Sequence, residues 1–204
     1  MFSGIIEAKS SILMTQDLDR ALRIRVQRPL TFDDIKLGDS VAVNGVCLTI
    51  EECTPELLTF TLAAETLKVL RWNQAPWTHH PINLERSLRF GDRIHGHLVS
   101  GHVDELGEVV KAESFGDSWL LDVSFDSGKS DLIWKKGSIT IQGVSLTVNE
   151  VKGSILSVCL IPETVKRTNL SEFKVHDFVN LEYDWMAKAL IHSFQKQIKE
   201  MRTP

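Results

Sequence analysis

VAVNGVCLTI (41–50) is written a second time, as ITIQGVSLTV (139–148). The glycine (Gly45, Gly143) and the closing Leu-Thr (Leu48-Thr49, Leu146-Thr147) are kept, while Cys47 is replaced by Ser145. The likeness extends in both directions. Ser3-Gly4 answers Ser100-Gly101, Glu65-Thr66-Leu67-Lys68 answers Glu163-Thr164-Val165-Lys166, and INLE (82–85) answers VNLE (179–182). The offset is 97 residues at the two ends (Gly4 to Gly101, Asn83 to Asn180) and 98 in the middle (Gly45 to Gly143). One register held across the half-length means a duplicated domain, and repetition of this kind is settled before any finer reading.

Within each half the pattern is that of strands. SVAVNGVCLTIEE and SITIQGVSLTVNEV read as strands with an internal glycine, LLTFTLAAE and ILSVCLIPE as short runs bounded by polar residues. Leu22–Val26 and Asp122–Phe125 alternate. Several short strands per half, with no long amphipathic helix among them, favour a small closed β-barrel, because closure removes exposed edges. The tail differs: from Trp185 to Met201, residues Met186, Ala187, Leu190, Ile191, Phe194, Ile198 and Met201 fall at three- and four-residue steps on one helical face, with Asp184 placed to cap its start. That stripe either packs on the second barrel or assembles subunits; the pattern serves both.

The 204 residues are 43% hydrophobic and 25% charged, with net charge -4, the balance of a soluble globular protein. The mildly acidic balance gives no basic footprint for nucleic acid. No apolar run reaches bilayer length, and MFSGIIEAKS lacks a signal pattern, so the expected location is cytoplasmic, without a membrane. Cys47, Cys53 and Cys159 are odd in number and form no C-x-x-C, which reads as free thiols.

The chain holds no phosphate loop, no G-x-G-x-x-G and no G-x-S-x-G elbow. In IHGHLVSGH a strand would put His95 and His97 on one face, a geometry metals use, but no carboxylate or thiolate motif accompanies it; the histidines are better read as lying near a site or satisfied by local hydrogen bonds. His79-His80 reads as an exposed loop. A strand thiol such as Cys47 is usually an inert buried hydrophobe. Its repeat partner Ser145, and the hydroxyls Thr49 and Thr147 two residues on, suggest instead a polar ligand pocket on each barrel.

With these residues in view, the chain resembles the riboflavin synthase family (the alpha chain, with two lumazine-binding barrel repeats). The resemblance is carried by MFSGIIE, GDSVAVNGVCLT, INLERSLRFGDRIHGHLVSGHVD, KKGSITIQGVSLTV and IPETVKRTNL, which together span nearly the whole chain. It implies a mostly β fold: two tandem homologous six-stranded Greek-key barrels (1–97 and 98–184), followed by a C-terminal amphipathic helix (185–204) for trimerisation. It implies that each repeated phrase helps form a pocket for one 6,7-dimethyl-8-ribityllumazine. One lumazine gives a four-carbon unit to the second, yielding riboflavin and 5-amino-6-ribitylaminouracil, with no cofactor. The site would lie between the N-terminal barrel of one subunit and the C-terminal barrel of its neighbour in a homotrimer; association with lumazine synthase is left open.

By the same resemblance Ser40, Cys47, Thr49 and Thr66 fall on the N-terminal pocket, Lys136, Ser145, Thr147, Ile161, Thr164 and Asp184 on the C-terminal one, and His102 at the junction. The catalytic candidates are Ser40, Cys47, His102 and Asp184. Gly4, Ile5 and Ile6 of the opening segment receive no substrate-binding assignment. The chain departs from the family pattern in VLRWNQAPWTHHPINLE, where a Thr-Asn-Leu and Gly-Asp turn is more usual, in Ser3, where Thr is usual, and in Glu105, where Gly is common. The competing reading is a non-catalytic lumazine- or flavin-binding relative of the antenna type.

Overall fold

The repeated phrase folds as a hairpin rather than as one strand. In the computed structural model, which describes residues 1–201, Asn44 (φ 47°) and Gly45 (φ 83°) turn the chain back, as do Gln142 (φ 51°) and Gly143 (φ 81°). Two consecutive positive-φ residues make the tight turn whose twist suits paired strands, and Asn-Gly is its usual sequence. The two turns meet: a Cβ on Gly45 would stand 2.8 Å from the Gly143 nitrogen, and one on Gly143 2.7 Å from the Gly45 nitrogen. The repeats thus touch backbone to backbone at a point where only glycine fits.

The first repeat runs β1 (Ala8–Ser10), β2 (Ile12–Leu18), β3 (Ala21–Gln27), β4 (Ser40–Val43), β5 (Val46–Thr49), β6 (Glu52–Cys53), β7 (Leu57–Ala63), α1 (Ala64–Val69) and β8 (Ile82–Arg86). The second runs β9 (Glu105–Phe115), β10 (Ser118–Ser124), β11 (Ser138–Ile141), β12 (Val144–Thr147), β13 (Glu150–Lys152), β14 (Ile155–Leu160), α2 (Pro162–Arg167) and β15 (Phe178–Tyr183), and α3 (Trp185–Met201) follows. The second repeat forms one sheet ordered β12-β11-β15-β9-β10-β14-β13. Because β13 continues β12 after a two-residue bend, its two edges are the same stretch of chain, and a six-stranded barrel closes. The first repeat splits the same path into β1-β8-β4-β5 and β2-β3-β7-β6, since the counterpart of β9 breaks at Ser11 into β1 and β2. Counting each bent strand once, the order around either barrel is first, second, fifth, fourth, third, sixth, which is a Greek key.

Each barrel has its own core. Ile24, Val26, Phe60, Leu62 and Ile82 fill the first, and Val123, Ile139, Val158, Leu181 and Tyr183 the second. Along β5 and β12 the burial alternates, so Val46 and Leu48, or Val144 and Leu146, point inward. Cys47 and Thr49, or Ser145 and Thr147, therefore face outward.

Asp184 caps α3, its carboxylate accepting from the Met186 N–H at 2.8 Å. The apolar stripe of α3 divides: Ala187 and Ile191 pack on the second core, whereas Met186, Leu190, Phe194, Ile198 and Met201 stand 44–79% exposed. Residues 202–204 of the tail lie outside the described residues.

Candidate active site

A pseudo-twofold axis runs between the two glycine turns. Phe2 and Val99, equivalent by the offset of 97, exchange backbone hydrogen bonds across it (Phe2 N–H to Val99 O 2.8 Å, Val99 N–H to Phe2 O 3.0 Å). On either side of this bridge the chain leading into one repeat crosses to the other barrel. The Cys47 N–H donates to Gly101 O, and the Ser145 N–H to Gly4 O, each at 2.8 Å. Only glycine permits this approach, for a Cβ on Gly101 would lie 2.6 Å from Cys47 Cβ and one on Gly4 2.5 Å from Ser145 Cβ. Two equivalent niches result, each built on one barrel and completed by the lead segment of the other.

The lead segments are held by buried carboxylates. Glu85 Oε1 accepts from the Ser3 N–H (2.7 Å) and hydroxyl (2.8 Å), and Oε2 from the Gly4 N–H (3.0 Å). Glu182 repeats the arrangement with the Ser100 N–H (2.7 Å), the Ser100 hydroxyl (2.6 Å) and the Gly101 N–H (3.0 Å). Burial pushes the Glu85 carboxyl up to about 7 against the pull of these donors.

The niches differ in chemistry. On the first barrel Cys47 is packed with Phe2, Ala42 and Val99, an apolar enclosure around a half-buried thiol. On the second, Thr140 replaces Ala42, and His97 bridges two hydroxyls: Nδ1 to Ser145 Oγ at 2.7 Å and Nε2 to Thr140 Oγ1 at 3.2 Å. Burial holds the His97 imidazole below its ordinary range, opposed by the charges of Asp184 and Glu182, so it stands neutral, with one ring nitrogen donating and the other accepting.

The sequence candidates are distributed accordingly. Cys47 lies in the first niche, and His102, which is exposed, follows the Gly101 whose carbonyl accepts from the Cys47 N–H. Ser40 faces Thr49 across β4 and β5 and lines an open cleft of about 680 Å³ shared with Ser3, Ile5, Glu85, Arg86 and His95. Asp184 stands apart from these, with the second niche, where it caps α3 and its charge reaches His97. Ser145 and Thr147 share an outward face, while Thr66 and Thr164 occupy equivalent positions in α1 and α2. Lys136 is exposed in the turn before β11, and Ile161 immediately precedes α2. Gly4 and Ile5, without an assignment from sequence, take part directly: Gly4 completes the second niche, and Ile5 lines the cleft. Ile6 is buried in the second core.

Two readings are corrected. His95 and His97 do not share a strand face; the segment is irregular, and His97 turns inward while His95 lines the cleft. His80 is not merely a loop residue, for its ring lies 4.6 Å from that of Phe173 of the second repeat. Among the described residues no group of three or more His, Cys, Asp or Glu side chains converges as a metal site. Sequence reasoning missed Phe2, Thr140 and the two glutamates. The signal for the glutamates was present in INLE and VNLE and in the paired Ser-Gly steps, but nothing in the sequence joined them.

Comparison with known proteins agrees with this duplication. The lumazine binding domain model matches twice, at residues 3–87 and 100–184. Riboflavin synthase of Bacillus subtilis is 34% identical over 96% of this chain and 91% of that protein, and riboflavin synthase of Mycobacterium bovis 37% identical over 92% and 95%. The crystal structure of LumP complexed with 6,7-dimethyl-8-(1'-D-ribityl) lumazine superposes with a TM-score of 0.79 over 89% of this chain and 98% of that one, at 20% identity, a likeness of fold. Matched in both repeats and aligned over nearly its whole length with such relatives, the chain belongs to the riboflavin synthase family of lumazine-binding domain proteins.

Proposed function

We propose that the protein is a riboflavin synthase, a transferase that dismutates two 6,7-dimethyl-8-ribityllumazine molecules to riboflavin and 5-amino-6-ribitylaminouracil. The observation that carries this reading is the pair of equivalent but chemically distinct niches. Two copies of one substrate must play different parts, one giving four carbons and the other receiving them. A duplicated frame supplies two like sites, and the exchange of Ala42 and Cys47 for Thr140 and Ser145, with His97 added, makes them unlike. The lumazine 7-methyl group is acidic through conjugation, so a modest base and fixed mutual orientation of two rings suffice; orientation alone is worth several kcal/mol. In this scheme Ser40, Cys47 and His102 surround one ring, and Ser145, Thr147 and Asp184 orient the other.

The chain divides for this purpose into barrels at 1–97 and 98–184 and a helical segment at 185–204. The exposed stripe of α3 supports a homotrimer in which the N-terminal barrel of one subunit faces the C-terminal barrel of the next. The absence from the described residues of any helix long and apolar enough to cross a membrane is compatible with a cytoplasmic enzyme. The test is incubation with 6,7-dimethyl-8-ribityllumazine alone, followed by absorbance for riboflavin. Growth of riboflavin, strongly reduced in His102→Gln and Cys47→Ala, supports the assignment. Tight binding of a lumazine that persists unchanged would replace it with an antenna-type binding protein.

A further inference from the structure

We propose that Glu85 and Glu182 are crossed positioning residues: each carboxylate, seated in its own barrel, fixes the lead segment that completes the niche of the other barrel. The proposal rests on the two-niche reading above. Glu182 belongs to the last strand of the second barrel, yet the segment it grips, Ser100-Gly101, delivers Gly101 O to Cys47 of the first barrel at 2.8 Å. Glu85 belongs to the first barrel and grips Ser3-Gly4, whose Gly4 O receives the Ser145 N–H of the second. In both cases a single residue, the glycine, gives its N–H to the carboxylate and its carbonyl to the opposite niche.

The grip is tight because both carboxylates are buried, 3% and 2% exposed, and each takes three donors. A glutamine in either place keeps the shape and one acceptor oxygen. That oxygen serves the serine pair, which needs two bonds, and the amide NH2 is left opposing the glycine N–H. The substitution therefore acts on the glycine that touches the opposite niche.

The test is site-resolved alkylation of thiols by iodoacetamide, read by mass spectrometry in the absence of substrate. Cys47 reports the first niche, Cys53 in β6 the first barrel, and Cys159 in β14 the second. In E182Q the expected result is faster labelling of Cys47, by roughly tenfold, the change in opening equilibrium for one lost charge-assisted hydrogen bond. Cys159, in the same barrel as the substitution, and Cys53 stay at their wild-type rates. E85Q, in an S145C background, accelerates labelling of the thiol introduced there by more than that of Cys47, whose neighbour Phe2 adjoins the Ser3 that Glu85 holds. If E182Q does not accumulate folded protein, S100A serves in its place, removing one donor while leaving the charge. Damage that spreads from the substituted barrel, with Cys159 rising in E182Q or Cys47 rising in E85Q as much as the introduced thiol, would overturn the proposal, as would an unchanged Cys47 in folded E182Q. Because labelling needs no turnover, failure of the synthase reading shows separately, as absence of riboflavin formation in the wild-type protein.

Discussion

Lys136 occupies a backbone position that its repeat mate gives to glycine. Its φ is 70° where Gly38 has 88°, and the N–H of each donates to the end of the neighbouring strand, Lys136 to Val148 O and Gly38 to Ile50 O. A side chain in the left-handed region costs on the order of 1 kcal/mol, and Lys136 recovers none of it through an ion pair or side-chain hydrogen bond among the described residues. Such strain fits a residue kept for a ligand. Lys136→Gly is therefore expected to raise stability by about 1 kcal/mol in urea unfolding while weakening lumazine binding in a fluorescence titration; unaltered affinity would remove Lys136 from the site. The Glu85 carboxyl makes a second residue-scale prediction. Its folded value, about 7, lies above the ordinary 4.5, so the native state holds the proton more firmly than the unfolded chain. Stability from this group is present below pH 4.5 and falls by roughly 3 kcal/mol as pH rises to about 7. His97, held low by burial, acts oppositely: the unfolded chain takes up a proton first as pH falls through 6.5, so its contribution is lost on the acid side. Denaturant midpoints measured from pH 5 to 8 should show a descending limb that vanishes in E85Q, leaving the rise through the imidazole range. A descending limb retained in E85Q would place the titration elsewhere.

At the scale of elements, legibility followed how many residues repeat a pattern. The 17-residue α3 was read from sequence because its apolar positions recur over several turns, and Asp184 caps it as expected. The strands β1, β2 and β9 were not singled out, because most of β2 is exposed and carries no alternation. The hairpin in the repeated phrase was read as a continuous strand although Asn44-Gly45 is a strong turn signal, since the apolar frame on both sides masked it. The candidate site was legible where the repeats differ, at Cys47 and Ser145, and hidden where distant segments meet. Phe2 and Val99 are neighbours only once the two repeats have come together, and Ser3 and Glu85 only once the first strand of their repeat has paired with its last. The part of the α3 stripe left uncovered makes its own prediction. Leu190 and Phe194 lie one turn apart, 57% and 58% exposed. L190D/F194E should lower the sedimenting mass from that of the proposed homotrimer while changing barrel stability by less than about 0.5 kcal/mol, the usual range for surface changes. An unchanged mass would remove this stripe from the proposed trimer contact.

On the scale of the whole molecule, two barrels with separate cores are joined by a polar seam. Asn83 is fully buried between them; its Nδ2 donates to Gln142 O at 2.9 Å and to Asn169 Oδ1 at 2.7 Å, and its Oδ1 accepts from the Asn169 N–H at 2.9 Å. Its mate Asn180 makes one such side-chain bond across the axis, Nδ2 to Asn44 O at 2.8 Å. The difference arises because Asn169 comes from Thr168-Asn169-Leu170 of the second repeat, where the first has Leu70-Arg71-Trp72. Loss of a partner for a buried polar group costs about 1–3 kcal/mol. Asn83→Leu leaves three groups without their partner and Asn180→Leu leaves one, so the first substitution should cost several kcal/mol and the second about a third as much. Because these bonds link the barrels and not their cores, Asn83→Leu should also separate their unfolding: calorimetry is expected to show one transition in the wild-type protein and two in the variant. Equal costs for Asn83→Leu and Asn180→Leu would mean that the seam acts symmetrically despite its unequal bonds. A single displaced transition in Asn83→Leu would locate the coupling instead in other contacts between the repeats, among them the Phe2–Val99 bridge, the hydrogen bonds of Cys47 with Gly101 and of Ser145 with Gly4, and the contact of Gly45 with Gly143.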